Sequence, residues 1–145
     1  MEAARTLSLE WIAAWNARDL EAVLSHYEPD VEFESPRVAA AYVATGGQVG
    51  SPDGVLRGVD SLRPYFSQAI DHLPHLHLEF LQMLEGPPGG WFAVQYRRET
   101  GAVVLETFRL TPAPAPAATV AERGAGAEQR PSRIAAVRVF YEAVC

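Results

Sequence analysis

Residues 60–84 read DSLRPYFSQAIDHLPHLHLEFLQML, and a change of period within that stretch decides the fold. Leu62, Tyr65, Phe66, Ala69, Ile70 and Leu73 fall at i, i+3, i+4, i+7, i+8 and i+11, the apolar stripe of one amphipathic helix. Asp60 or Ser61 is the expected N-cap. Pro64 comes early enough that its missing N–H costs little, and Pro74 stops the helix. From Leu76 to Leu84 the chain becomes strand-like, so a helix with a face to bury runs directly into a strand.

Towards the N-terminus the pattern is helical. Ala4, Leu7, Trp11, Ala14 and Trp15 recur at helical spacing, and Asp19 caps a second helix striped by Leu20, Val23, Leu24 and Tyr27. Val31 to Ser35 alternates like a short strand and ends at Pro36. Residues 37–58 carry Gly46-Gly47, Gly50, Pro52-Asp53-Gly54 and Gly58, which predicts a loop with one helical turn near Val38 to Val43. Towards the C-terminus everything is strand-like: Trp91 to Glu99, Ala102 to Thr111 and Arg133 to Glu142. Two hairpin turns fall at Gly86 to Gly90 and Thr100-Gly101. Pro112 to Pro131 is rich in Pro, Ala and Gly and is expected to be a flexible surface loop within one domain spanning 1–145. Helices first and long antiparallel strands afterwards make an α+β layout, with helices packed on one face of a sheet that curls around a tapering interior. Concave interiors of that kind are where small ligands bind.

Composition narrows the function. A content of 48% hydrophobic residues fills one core, and a net charge of -6 without any Lys/Arg-dense run argues against nucleic acid as partner. The single cysteine, Cys145, has no internal partner, and Val38 to Ala44, the longest near-apolar run, is far below the roughly 20 residues of a membrane span. The N-terminus lacks the basic-then-apolar layout of a signal peptide, so the expectation is a soluble, cytoplasmic protein without a membrane partner.

The strand from Ala102 to Leu110 places Val104, Glu106, Phe108 and Leu110 on one face, apolar except for the carboxylate at its centre. A carboxylate there must be paired, hydrogen-bonded or protonated, and desolvation raises its pKa towards the range of a useful acid or base. A structural role, bonded to Arg97, Arg138 or a helix end, is the bland alternative. In the last strand Val137, Val139 and Tyr141 share an inward row. If Thr100-Gly101 closes a two-residue hairpin, Gln95 stands opposite Glu106; one more loop residue reverses that. The residues expected around Glu106 are therefore Trp11, Trp15, Tyr27, Phe33, Tyr65 and Phe66, joined by Gln95, Phe108, Val139 and Tyr141 from the long strands.

Several strings are familiar: Trp11-Ile-Ala-Ala-Trp-Asn-Ala-Arg-Asp-Leu-Glu-Ala-Val23, Tyr27-Glu-Pro-Asp-Val-Glu-Phe-Glu-Ser-Pro36 and Leu56-Arg-Gly-Val-Asp-Ser-Leu-Arg-Pro-Tyr-Phe66. Pro74 to Phe80, Tyr96-Arg-Arg98, Val104-Leu-Glu-Thr-Phe108 and Arg133 to Tyr141 continue them. Together they resemble SnoaL-like proteins of the nuclear transport factor 2-like superfamily. The resemblance implies a cone of three N-terminal helices on a curved mixed, mostly antiparallel sheet, and a homodimer through the sheet's outer face. Its relatives include ketosteroid isomerases, polyketide cyclases, dehydratases and non-catalytic binders. Carried over by motif, the isomerases' donor tyrosine falls at Trp11, their base at Ser35 and their second acid at Glu106. Ser35 is no equivalent base, so the resemblance does not extend to ketosteroid isomerisation by the family mechanism. It implies instead a pocket for a small, largely apolar molecule, with acid/base chemistry of isomerase, cyclase or dehydratase type through Glu106. A non-catalytic ligand-binding or dimerisation module is the alternative.

No cofactor is expected, because no phosphate loop, dinucleotide fingerprint or Cys/His metal spacing appears. His72, His75 and His77 cluster beside Asp71, but His75 and His77 fall opposite the Leu76/Leu78/Phe80 face, so the cluster reads as surface rather than metal ligands. His26, beside Tyr27, reads as a rim or capping residue.

Overall fold

The computed structural model describes residues 2–111 and 132–143. The loop expected at 112–131 and Cys145 lie outside them. The elements in order are α1 (Glu2–Asn16), α2 (Leu20–Leu24), β1 (Tyr27–Glu34), α3 (Pro36–Ala44), β2 (Val55–Arg57), α4 (Val59–His72), β3 (Leu78–Glu85), β4 (Trp91–Arg98), β5 (Val103–Leu110) and β6 (Ile134–Tyr141). One six-stranded sheet runs β2-β1-β6-β5-β4-β3. All its pairings are antiparallel except β1 with β6. The helices cover the inner face, where Trp11, Leu62, Val94, Val104, Phe108 and Val137 are almost completely buried. No helix among the described residues is long and apolar enough to cross a membrane.

The stretch read as a loop differs most from expectation. Ser35 accepts a hydrogen bond from the Arg37 N–H at 3.2 Å and Pro36 occupies the first turn, which are strong N-terminal signals. The Ala-rich run behind them extends the single expected turn to nine residues, so α3 is a fourth helix among the expected three. The glycines then return the chain to β2, whose Leu56 pairs with Phe33. Helix α4 also starts earlier than its polar residues predict. Gly58, at φ 87°, is its N-cap without any side-chain bond, and neither Asp60 nor Ser61 caps it. Pro64 consequently sits in the second turn, where Asp60, exposed to water, loses its i+4 donor.

The β4–β5 turn sets the register of the inner face. Arg98 N–H donates to Ala102 C=O at 2.8 Å, and Gly101 at φ 91° completes a three-residue loop instead of the two-residue one. Val94, not Gln95, therefore stands opposite Glu106. Gln95 pairs with Leu105 on the outer face, where its Oε1 accepts from Gln82 at 2.8 Å. The placement of Gln95 in the pocket is thus corrected by one residue of loop length.

Two polar clips tie α1 to the sheet and the α1–α2 turn to the end of α4. Asn16 mimics a strand partner: its Oδ1 accepts from Leu78 N–H at 2.8 Å, and its Nδ2 donates to Leu78 C=O at 2.9 Å. Arg18 donates to the carbonyls of Ile70, Leu73 and Pro74, closing the C-terminal end of α4. These bonds position Leu73, Leu76 and Leu78 along one edge of the cavity described next.

Candidate functional site

Between the inner face of the sheet and the helices lies a cavity of about 120 Å³. Its buried floor is Trp11 and Trp15 from α1, Phe33 from β1, Phe66 from α4, Leu78 and Tyr96 from β3 and β4, and Glu106 from β5. Half-buried Tyr65, Leu76, Arg98 and Tyr141 and exposed Arg37 and Leu73 surround the mouth. The aromatic floor is rigid through edge contacts: Trp11 meets Phe108 at 5.3 Å between ring centroids, and Trp15 meets Phe66 at 5.0 Å.

Glu106 is the feature that calls for explanation. It is 6% exposed, and its Oε2 is buried without a hydrogen-bond partner among the described residues. Neither Arg97 nor Arg138, the structural partners open to it from sequence, reaches it: Arg97 pairs with Glu79 and Arg138 with Glu34 on the outer surface. Burial alone pushes its pKa from 4.5 up to about 8. At neutral pH it is mainly a carboxylic acid, able to donate one hydrogen bond and to exchange its proton.

Polar groups close to Glu106 are hydroxyls rather than cations. Trp11 Nε1 donates to Tyr27 Oη at 2.8 Å, so Tyr27 keeps its own proton for donation. Its phenol is pushed well above the usual value, first by burial and then by the nearby charge of Glu106. Tyr96 is raised for the same two reasons in the same order. Ser35, 1% exposed, caps α3 and places its Oγ 3.5 Å from Tyr141 Oη.

Most of the expected residues are thus brought together. Trp11, Trp15, Phe33, Tyr65, Phe66 and Tyr141 share the cavity with Glu106. Tyr27 and Phe108 stand one layer behind Trp11, held to it by the hydrogen bond and the ring contact. Val139 pairs across from Glu106 but lines a surface groove with Ser35 and Pro36. His26 faces a separate depression with Glu10 and Arg133. His72, His75 and His77 are exposed, and no group of three or more His, Cys, Asp or Glu among the described residues is placed to hold a metal. Sequence reasoning missed Arg37, Tyr96 and Arg98. Arg37 was hidden in the supposed loop, although Ser35-Pro36 is a helix-start signal. Tyr96 and Arg98 depended on the undecided register of β4.

The family model for the SnoaL-like domain matches residues 9–141. A SnoaL-like protein of unknown function from Burkholderia thailandensis E264 is 31% identical, with a TM-score of 0.72, covering 99% of this chain and 98% of that one. An NTF2-like protein of unknown function from Burkholderia pseudomallei K96243 is 16% identical, with a TM-score of 0.62 over 98% and 92% of the two chains. The epoxide hydrolase/cyclase-like enzyme SalBIII, of pyran ring formation in the polyether salinomycin, is 18% identical, with a TM-score of 0.59 over 95% and 89%. The last two likenesses are of fold. No curated protein matches the chain.

Proposed function

The chain belongs to the SnoaL-like domain family, and from that premise we propose that its cavity binds a small, largely apolar molecule whose carbonyl or hydroxyl meets Glu106. The observation that carries this reading is the buried Oε2 without a partner among the described residues. A buried polar atom left unmatched costs about 1–3 kcal/mol, and a ligand oxygen that accepts from the protonated acid removes that cost. A cavity near 120 Å³ suits one six-membered ring, since an apolar cavity of about 150 Å³ takes benzene.

The same acid supports a catalytic version. A group titrating at about 8 in a water-poor site holds its proton at neutral pH and takes it up again after giving it away. Isomerisation, cyclisation and dehydration need such a proton shuttle and no net electron transfer, so the proposal calls for no cofactor. That SalBIII is a cyclase-like enzyme on the same fold makes this class the natural one to test first.

The test is solvent-deuterium incorporation next to the carbonyl of cyclohexanone, followed by NMR in heavy water. Wild-type protein is expected to accelerate exchange, and Glu106→Gln to abolish the acceleration while cyclohexanone still binds. Equal exchange rates with and without the side chain reduce the site to a binding pocket. Absence of any binding overturns the reading.

We also propose that a second copy covers the outer face of the sheet. Support comes from Phe140, 54% exposed, and Leu84, 41% exposed, on that side. Sedimentation of wild type against Phe140→Glu reads this directly, and an unchanged monomer in both refutes it.

A further inference from the structure

We infer that Arg37, Tyr65 and Tyr141 form a second polar station, at the mouth of the cavity, which takes a carboxylate carried by the ligand. The inference rests on the pocket reading above and adds a chemical class to it.

Three elements converge there. Arg37 comes from the first turn of α3, Tyr65 from α4 and Tyr141 from the last residue of β6, and all three line the cavity that ends on Glu106. The Arg37 guanidinium stands 4.7 Å over the Tyr141 ring, which orients its planar fork. Ser35, fixed by its capping bond, places Oγ 3.5 Å from Tyr141 Oη and holds that phenol at the rim.

The charges at the mouth do not cancel. Arg98 is spent on Glu99, with Nε to Oε1 at 2.9 Å and Nη2 to Oε2 at 2.8 Å. The Arg37 guanidinium has no ion pair and no hydrogen bond among the described residues. Both phenols stay neutral at physiological pH, because burial pushes Tyr65 and Tyr141 further above the usual phenol value. Arg37 opposes the rise in each, which sets its charge near both hydroxyls. With Glu106 protonated, the cavity is a neutral acid at its floor and a cation with two O–H donors at its rim.

A ligand that satisfies both ends carries a neutral acceptor inside and an anionic oxygen group outside. A planar monoanion matches one guanidinium fork and one uncompensated charge, so the group is a carboxylate. The bland alternative gives Arg37 only the stacking contact with Tyr141; it predicts no preference for acid over amide.

Three probes test it: 4-oxocyclohexanecarboxylate, 4-oxocyclohexanecarboxamide and cyclohexanone, titrated calorimetrically at low salt. The carboxylate is expected to bind wild type about tenfold tighter than the carboxamide, a charge-assisted bond at a partly screened site. That ratio is expected to fall close to one in Arg37→Gln and severalfold in Tyr141→Phe. A wild-type ratio of one or below, or a ratio that survives Arg37→Gln, overturns the inference. If cyclohexanone binds while the acid shows no advantage, the mouth station falls and the pocket stands. If none of the three binds, both fall.

Discussion

Replacing Glu106 by Gln should stabilise the protein, and by an amount that grows with pH. The folded chain holds the Glu106 proton up to about 8, whereas the unfolded chain releases it near 4.5. Between those values unfolding releases a proton, so this group's contribution is fully present below about 4.5 and is lost as pH rises to about 8. At about 1.4 kcal/mol for each tenfold difference in proton affinity, the full span approaches about 5 kcal/mol. Gln has nearly the same shape and does not titrate. The gap in unfolding free energy, Gln variant minus wild type, should therefore be small at pH 4.5 and widen by several kcal/mol at pH 8.5. Urea unfolding followed by tryptophan fluorescence reads it, since Trp11 and Trp15 are buried beside the acid. His26 titrates in the opposite sense, because burial lowers its pKa, but it is present in both proteins and cancels in the difference. A gap that stays constant to within about 0.5 kcal/mol, or that widens towards acid, would show that Glu106 is not held protonated, and both the proton-shuttle argument and the hydrogen-bond donor argument would fail.

Three other perturbations probe the scaffold of the site. Gly101→Ala should cost about 1–2 kcal/mol in denaturant unfolding, purely from the left-handed backbone at φ 91°, since no atom lies within 4 Å of the added methyl; a neutral result would dispute the three-residue loop that keeps Gln95 out of the pocket. Trp11→Phe removes the 2.8 Å bond to Tyr27 and opens space in the floor, so stability should drop by roughly 2–4 kcal/mol and the melting temperature with it. Glu99 is held at about 2 by the hydrogen bonds of Arg98, so its stabilisation is present above about 4.5 and lost as pH falls towards 2. Glu99→Gln should destabilise at pH 6 and converge with wild type under acid, and parallel acid-unfolding curves would contradict that pairing.

Elements with strong periodicity were legible. The stripe of Leu62, Tyr65, Phe66 and Ala69, and the alternation around Glu106, each depend on side chains a turn or two residues apart in the same segment. Helix α3 was harder because its signal, Ser35-Pro36 before an Ala-rich run, competes with the flanking glycines. The cap of α4 was missed because Gly58 works through its backbone and not through a side chain. In the candidate site, the aromatic floor followed from stripes already visible. The rim did not, because Arg37, Tyr96 and Arg98 gain their places from a helix and a register that local pattern leaves ambiguous.

By itself the sequence determined that a carboxylate sits at the centre of an apolar strand face, and that helices must cover that face. Both follow from residue order along one chain segment. Only the tertiary structure decided whether that carboxylate would be neutralised. Its candidate partners, Arg97 and Arg138, lie on the outer face because one extra residue in the Arg98–Ala102 turn sets the alternation of β4 against β5, and because β6 presents Val139 opposite the acid. A partner's side of the sheet is a property of pairing between distant strands, which no single strand encodes. The acid is left buried and, among the described residues, unpaired for that reason.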